Sequence, residues 1–206
     1  SYYISAKETL ARTFEKSLIY LALIALPITL GLIALAEPLI LKIYTAEFLP
    51  SVLTLQILIA ALPFLFLNFP LGSLLNACDR QNRNTAHIGI VMAVNAILNI
   101  ILIPRFSYLG AAMASTVSTL LMFSLQCYVA KQIVKINQSF VAKKTMAILA
   151  AGLAMFAALF YLKTSINFIV LIPLGGIVYF AILMLLKGFS MEELKMFYYS
   201  LFKKTG

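Results

Sequence analysis

Apolar residues in this chain gather into six unbroken runs, at 17–36, 51–77, 88–103, 110–130, 145–162 and 167–186, and none of the six contains Asp, Glu, Lys, Arg or His. A hydrocarbon core of about 30 Å is crossed by roughly 20 residues of α-helix at ~1.5 Å each. The pattern therefore predicts six transmembrane helices, with the short run 88–103 extended by a turn into the interface. Membrane strands alternate apolar and polar positions over about ten residues. These runs are continuous, so the expected fold is an all-α polytopic membrane helix bundle spanning residues 17–187.

The flanks have a different period. Residues 1–16 carry Ser5 and Glu8 at capping-box spacing and predict a cytoplasmic surface helix ahead of the first span. Residues 188–206 repeat the device with Ser190 and Glu193. There Met191, Leu194, Phe197, Tyr198, Leu201 and Phe202 recur at helical period before Lys203 and Lys204, which predicts an amphipathic helix lying in the inner interface or against the bundle. Between the first two spans, Pro38 suits the start of a short re-entrant or interfacial helix. Pro63 and Pro70 in the second span, with Pro27 in the first and Pro173 in the last, predict kinks, because each proline leaves a backbone carbonyl without its donor. Pro104 and Arg105 are expected to end the third span before a short outer turn.

Composition agrees with the pattern: 63% of the 206 residues are hydrophobic and 11% charged, against roughly 25% charged in a soluble domain. The formal charge of +9 is not spread evenly. Thirteen Lys and Arg residues fall in the N-terminal flank, the second and fourth loops and the tail, whereas the alternate loops hold only Lys42, Arg105 and Lys163. That asymmetry predicts both ends of the segment in the cytoplasm of a cell inner (cytoplasmic) membrane. Topology thus accounts for the charge, and nucleic acid is not implied. Tyr20, Tyr128 and Tyr161 at span ends fit interfacial anchoring. Cys78 and Cys127 would both lie near a reducing compartment, so no disulfide is expected, and neither they nor His87 has metal-ligand spacing; no cofactor is implied. The chain opens on Ser1 with no signal peptide and reads as a fragment.

Within the third span, Asn95 and Asn99 fall on one helix face. Its ten Leu, Ile and Val residues are worth roughly −3 to −6 kcal/mol on the insertion scale, and two unpaired buried amides would cost about 1–3 kcal/mol each. The amides must therefore face a neighbouring helix, as interhelical glue, or a watery cavity. The next span answers with Gly110, Ala114 and Ser118, a small-residue face that lets a partner backbone approach closely. A tight hairpin of the third and fourth spans is expected.

The ordered string Asn95, Leu98, Asn99, Leu102, Ile103, Pro104, then Gly110, Ala111, Ala112, Ala114, Ser115, Ser118, resembles the C-terminal half of polysaccharide-biosynthesis flippases of the multidrug/oligosaccharidyl-lipid/polysaccharide exporter superfamily, the O-antigen-unit translocase type. "YYIS" at the start, "LPITLGLIALAEPLILKIY" and the exit Leu75-Asn76-Ala77-Cys78-Asp79-Arg80 are similar to that family in the same order, so the resemblance covers about residues 2–187. Family members often carry a glycine at the turn occupied here by Tyr44-Thr45-Ala46. The resemblance implies the last six helices of a two-lobed transporter, with a polyprenyl-linked sugar as substrate, membrane lipids around it and a missing N-terminal lobe as partner. Asn76, Asn95, Asn99 and Gln126 are then candidates to line the substrate cavity, alongside Gln56, Asn68, Ser115, Thr116 and Thr119. Arg80 and Arg83 are candidates for the anionic head group at the inner mouth, a role to set beside their plainer one as positive-inside anchors.

Two alternatives stand beside lipid-linked oligosaccharide flipping. A multidrug antiporter of the same superfamily needs an embedded carboxylate, and these six runs have none. A non-transporting membrane scaffold predicts that the amides are dispensable. An enzyme is not expected, since Glu37, Glu47, Lys42, Arg105 and Lys163 are the only charged groups in the outer loops.

Overall fold

No glycine or proline interrupts residues 2–26, so a helix nucleated in the N-terminal flank has nothing to stop it. In the computed structural model, which describes residues 2–186, α1 accordingly runs without a break over Tyr2–Ile43. The N-terminal flank, from Tyr2 on, forms the first four turns of that same helix. It also passes through Pro38, and the expected re-entrant helix is replaced by an exposed link with a 3-10 turn at Ala46–Phe48. The amphipathic tail predicted at 188–206 lies outside the described residues.

The second crossing is made of α2 (Ser51–Ala60) and α3 (Leu62–Ala77). Pro63 disfavours helix in the residue before it and leaves the Ile59 carbonyl without a donor. The chain responds ahead of the proline: the Ala61 N–H turns to the Leu58 carbonyl at 3.2 Å, whereas Pro70 is carried inside α3. At the other end of α3, Asp79 adopts φ 56°, and the Arg80 N–H closes on the Leu75 carbonyl at 2.8 Å. That is a Schellman-type stop, in which the left-handed position favours Gly, Asn or Asp.

Then follow α4 (Gln81–Phe106), α5 (Tyr108–Ile133), α6 (Gln138–Leu162) and α7 (Phe168–Leu185). The α4 helix carries Pro104 and Arg105 within its last turn and does not end at them; Ser107, at φ 50° and ψ −130°, makes the turn alone. Asn137 and Asn167 cap α6 and α7 by accepting from Phe140 N–H and Ile169 N–H, both at 3.1 Å. Among the described residues the segments Glu8–Ile43, Ser51–Ala77 and the four helices α4 to α7 are long and apolar enough to cross a membrane, six crossings in all.

Two apolar cores hold the bundle. The larger joins α1, α6 and α7 through Ile19, Leu23, Leu35, Ile148, Met155, Leu159, Leu171 and Leu183. A smaller one joins the N-terminal half of α1 to α3 and α5 through Phe14, Leu71, Leu74, Leu75 and Val129. The α1–α6 pair is also tied at both ends: Glu15 accepts from the Asn137 N–H, and Lys163 meets Glu37 at 2.9 Å.

Candidate functional site

On α4 the partly buried positions are Asn84, His87, Val91, Val94, Asn95, Leu98, Asn99 and Leu102, one helical stripe, and every other residue of the helix is exposed. The stripe lies on the small face of α5. Gly110, Ala114 and Ser118 are all buried there, and a Cβ on Gly110 would stand 2.3 Å from the Leu102 carbonyl oxygen. Absence of a side chain is thus what lets the two backbones meet. With the helices this close, Asn95 Nδ2 reaches Ser118 Oγ at 3.0 Å, and Asn99 Nδ2 donates to Asn95 Oδ1 at 2.9 Å.

A second set of amides occupies the Arg80 end of the hairpin. Gln126, only 2% exposed, donates from Nε2 to Asn84 Oδ1 at 3.0 Å, and Asn84 Nδ2 donates to Asn76 Oδ1 at 3.1 Å, so that one relay joins α5, α4 and α3. Gly72 makes room for it, since a Cβ there would lie 3.2 Å from Gln126 Nε2. Next to Asn84 in the chain, Arg83 donates to Gln132 Oε1 at 3.3 Å, while Arg80 is exposed at the N-cap position of α4. The hairpin therefore brings Asn95, Asn99 and Ser118 into one group and Asn76 and Gln126 into another. Asn84, the hub of the second group, was not among the residues singled out from the sequence. Its signal was there: 84, 87, 91, 95 and 99 continue one face beyond the N-terminal end of the apolar run.

Side chains from α5 and α7 also repair the broken helices. Thr116 donates to the Ile57 carbonyl at 2.9 Å, the group released when the Ala61 N–H turned away. Tyr179, buried on α7, donates at 2.9 Å to the carbonyl of Leu23, whose normal partner four residues on is Pro27 and has no N–H. Asn68 reaches the Thr119 carbonyl at 3.4 Å, and Gln56 the Ile33 carbonyl at 3.1 Å.

Open grooves lie elsewhere. One of about 490 Å³ between α1 and α3 presents Thr13, Ser17 and Ser73 amid apolar side chains. Another, of about 430 Å³, separates α1 from α7 beside Pro27 and Gly175. Neither groove is lined by Asn95, Asn99 or Gln126, so in this bundle the amides form seams between helices. Among the described residues no three His, Cys, Asp or Glu side chains gather as a metal site.

Six crossings whose apolar runs hold no ionisable side chain define a multi-pass helical membrane domain. Its fold is similar to the solved structure of the lipid II flippase MurJ in an inward closed conformation, with a TM-score of 0.71 and 19% identity, over 96% of this chain and 40% of that one. The chain is also 26% identical over 194 residues to an uncharacterized membrane protein of Methanocaldococcus jannaschii, covering 92% of this chain and 38% of the relative. It thus spans about two fifths of the length of the proteins it matches. No protein-family model matches the chain.

Proposed function

We propose that this chain is part of a membrane transporter that flips a lipid-linked oligosaccharide, the repeat unit of a polysaccharide, across the cytoplasmic membrane by alternating access. The likeness in fold to a lipid II flippase over 96% of the chain carries the reading. Chemistry supports it. A flipped glycolipid needs hydrogen-bonding groups for its head and an apolar flank for its tail, and here amides run the length of one hairpin whose outer side is apolar. In this reading Asn76, Asn95, Asn99 and Gln126 face the head-group path, Arg80 and Arg83 meet its phosphates at the inner mouth, and Gly110, Ala114 and Ser118 hold the hairpin closed. Both ends of the segment are cytoplasmic, and the remaining lobe is supplied by the rest of the protein.

The test is a flipping assay with the full-length protein in vesicles loaded with a fluorescent polyprenyl-diphosphate oligosaccharide. Replacing Asn95 and Asn99 together by Leu is expected to lower the initial rate at least tenfold while membrane levels hold. An unchanged rate would favour the scaffold alternative.

A further inference from the structure

Helices α5 and α6 follow one another in the chain, joined only by residues 134–137, yet they hardly touch. The first packs on α3 and α4 and the second on α1 and α7, which leaves a cleft between them with α1 and α3 as its floor. It encloses about 280 Å³. Its lining runs from Phe14 to Ala22 on α1 and from Phe123 to Lys131 on α5, in each case about 12 Å of helix. One leaflet of a hydrocarbon core is about 15 Å deep. The cleft therefore has nearly the depth of one leaflet's acyl chains. Apart from Lys131, Thr145 and the Cys127 thiol, every lining side chain is apolar, so water inside it would lack hydrogen-bonding partners.

Charge is confined to one end of this slot. Lys131, in the last turn of α5, is the one charged residue of the lining, and it is exposed. Lys135 falls between the lining residues Val134 and Ile136, and Lys143 and Lys144 directly precede the lining Thr145. Glu15, next to the lining Phe14, is already taken by the Asn137 N–H. Neither Lys131 nor Lys135 has an ion-pair partner among the described residues.

We propose that the α5–α6 cleft binds a bilayer phospholipid with an anionic head group, one acyl chain in the slot and the phosphate on Lys131. The chain gives the apolar lining the contacts it otherwise lacks. Lysines at the mouth select for charge and not for the shape of the head group, since an ammonium acts as a point charge. A chain seated there touches α1, α3, α5 and α6 together, and so fills the seam where the two halves of the bundle fail to meet. The site is separate from the amide hairpin and does not rest on the flippase reading.

The test uses the full-length protein in phosphatidylcholine vesicles doped with phosphatidylglycerol that carries a diazirine in its acyl chain. After irradiation, cross-links mapped by mass spectrometry are expected on Leu67 and Phe123. A phosphatidylcholine probe at equal mole fraction should give about fivefold less signal there, and Lys131→Gln should cut the phosphatidylglycerol signal by about the same factor. Both probes should label Ile177, on the exposed face of α7, equally. Thr145→Phe fills the slot, leaves the lysines in place and should remove the signal; where it fails to fold, Val141→Phe serves. Equal labelling of the slot by both probes, or a signal indifferent to Lys131, overturns the proposal and leaves an ordinary solvating lipid. Absence of cross-links in the slot overturns it too, in favour of a segment of the same protein as the occupant. Displacement of the probe by added polyprenyl-diphosphate oligosaccharide would give the cleft to a transported lipid and likewise overturn it. Cross-linking is read without transport, so its failure and the failure of the flippase reading remain distinct.

Discussion

On α6 the residues Ile148, Ala151, Gly152, Met155 and Leu159 form a buried stripe against α1, whereas α4, 26 residues long against 25 for α6, has no fully buried residue. One contact is apolar and interlocking, closed at each end by a polar tie. The other is thin, made by a small-residue face on α5 and a line of amides. In lipid, burying an apolar side chain against another gains little over burying it in acyl chains, so helix pairs are held by close packing and by hydrogen bonds. The α1–α6–α7 side uses the first means and the α4–α5 hairpin the second. It follows that α4 is held chiefly by a single neighbour, α5, through close backbone approach and amide hydrogen bonds.

The largest expected effect breaks the thin contact at its narrowest point. Gly110→Val would push a branched side chain into the Leu102 carbonyl, which already stands 2.3 Å from where a Cβ would be. Neighbouring backbone cannot yield cheaply, so a loss of about 3 kcal/mol or more is expected, read as a lower midpoint in denaturant-titrated unfolding in micelles. Gly89→Ala is the matched control. Nothing lies within 4 Å of that position, and alanine should leave the midpoint unchanged or raise it by up to ~1 kcal/mol.

Second in size is the amide line. Asn95→Leu removes the donor to the buried Ser118 and the acceptor for the partly buried Asn99, leaving both unpaired, for a loss of about 1–2 kcal/mol. Adding Asn99→Leu removes one of the stranded groups and should recover part of that loss. A double variant markedly less stable than the single one would mean that the amides contribute more than pairwise bonds. Stability and flipping should then part company, since on the flippase reading the double variant is expected to fold yet flip at least tenfold more slowly.

How much of this contrast could be read from the residue order differs between the two sides. The crossings were legible because a run without ionisable groups needs no partner to be recognised; only its environment matters. The small face at Gly110, Ala114 and Ser118 was legible for a similar reason, since spacing of four on a helix defines a face whatever lies opposite. Proline effects were half legible. Which carbonyl loses its donor is fixed by the position of Pro27, but that Tyr179, 156 residues beyond Leu23, supplies the replacement depends on tertiary packing. Pro38 was misleading because a helix already thirty residues long tolerates one missing bond more easily than a new helix can start. Asn84 was passed over because it lies outside the apolar run, where an amide looks like an ordinary surface residue.

The Tyr179 bond offers a sharper test on the apolar side. Tyr179→Phe keeps the ring and deletes the donor, so about 1 kcal/mol should be lost. In a Pro27→Ala background the backbone N–H is restored and the Leu23 carbonyl needs no outside donor. There the same substitution should cost close to nothing, and the difference between the two costs measures the repair. Equal costs in both backgrounds would show that the hydroxyl acts elsewhere than on the proline break.

The smallest effect concerns the tie between the C-terminal ends of α1 and α6. Glu37 is 51% exposed and Lys163 19% in their side chains, so their 2.9 Å contact is screened by water and each partner pays side-chain entropy to hold it. Glu37→Gln should therefore cost at most about 0.5 kcal/mol, less at high salt. Lys163 has a second use, since its ammonium stands 4.6 Å from the centre of the Phe160 ring. Lys163→Met removes that attraction with the ion pair, and the extra cost over Glu37→Gln should be about 0.5 kcal/mol and resistant to salt. If both variants cost more than the Asn95 change, charge at the rim outweighs the amides in the seam, and the division into an apolar side and a polar hairpin would have to be redrawn.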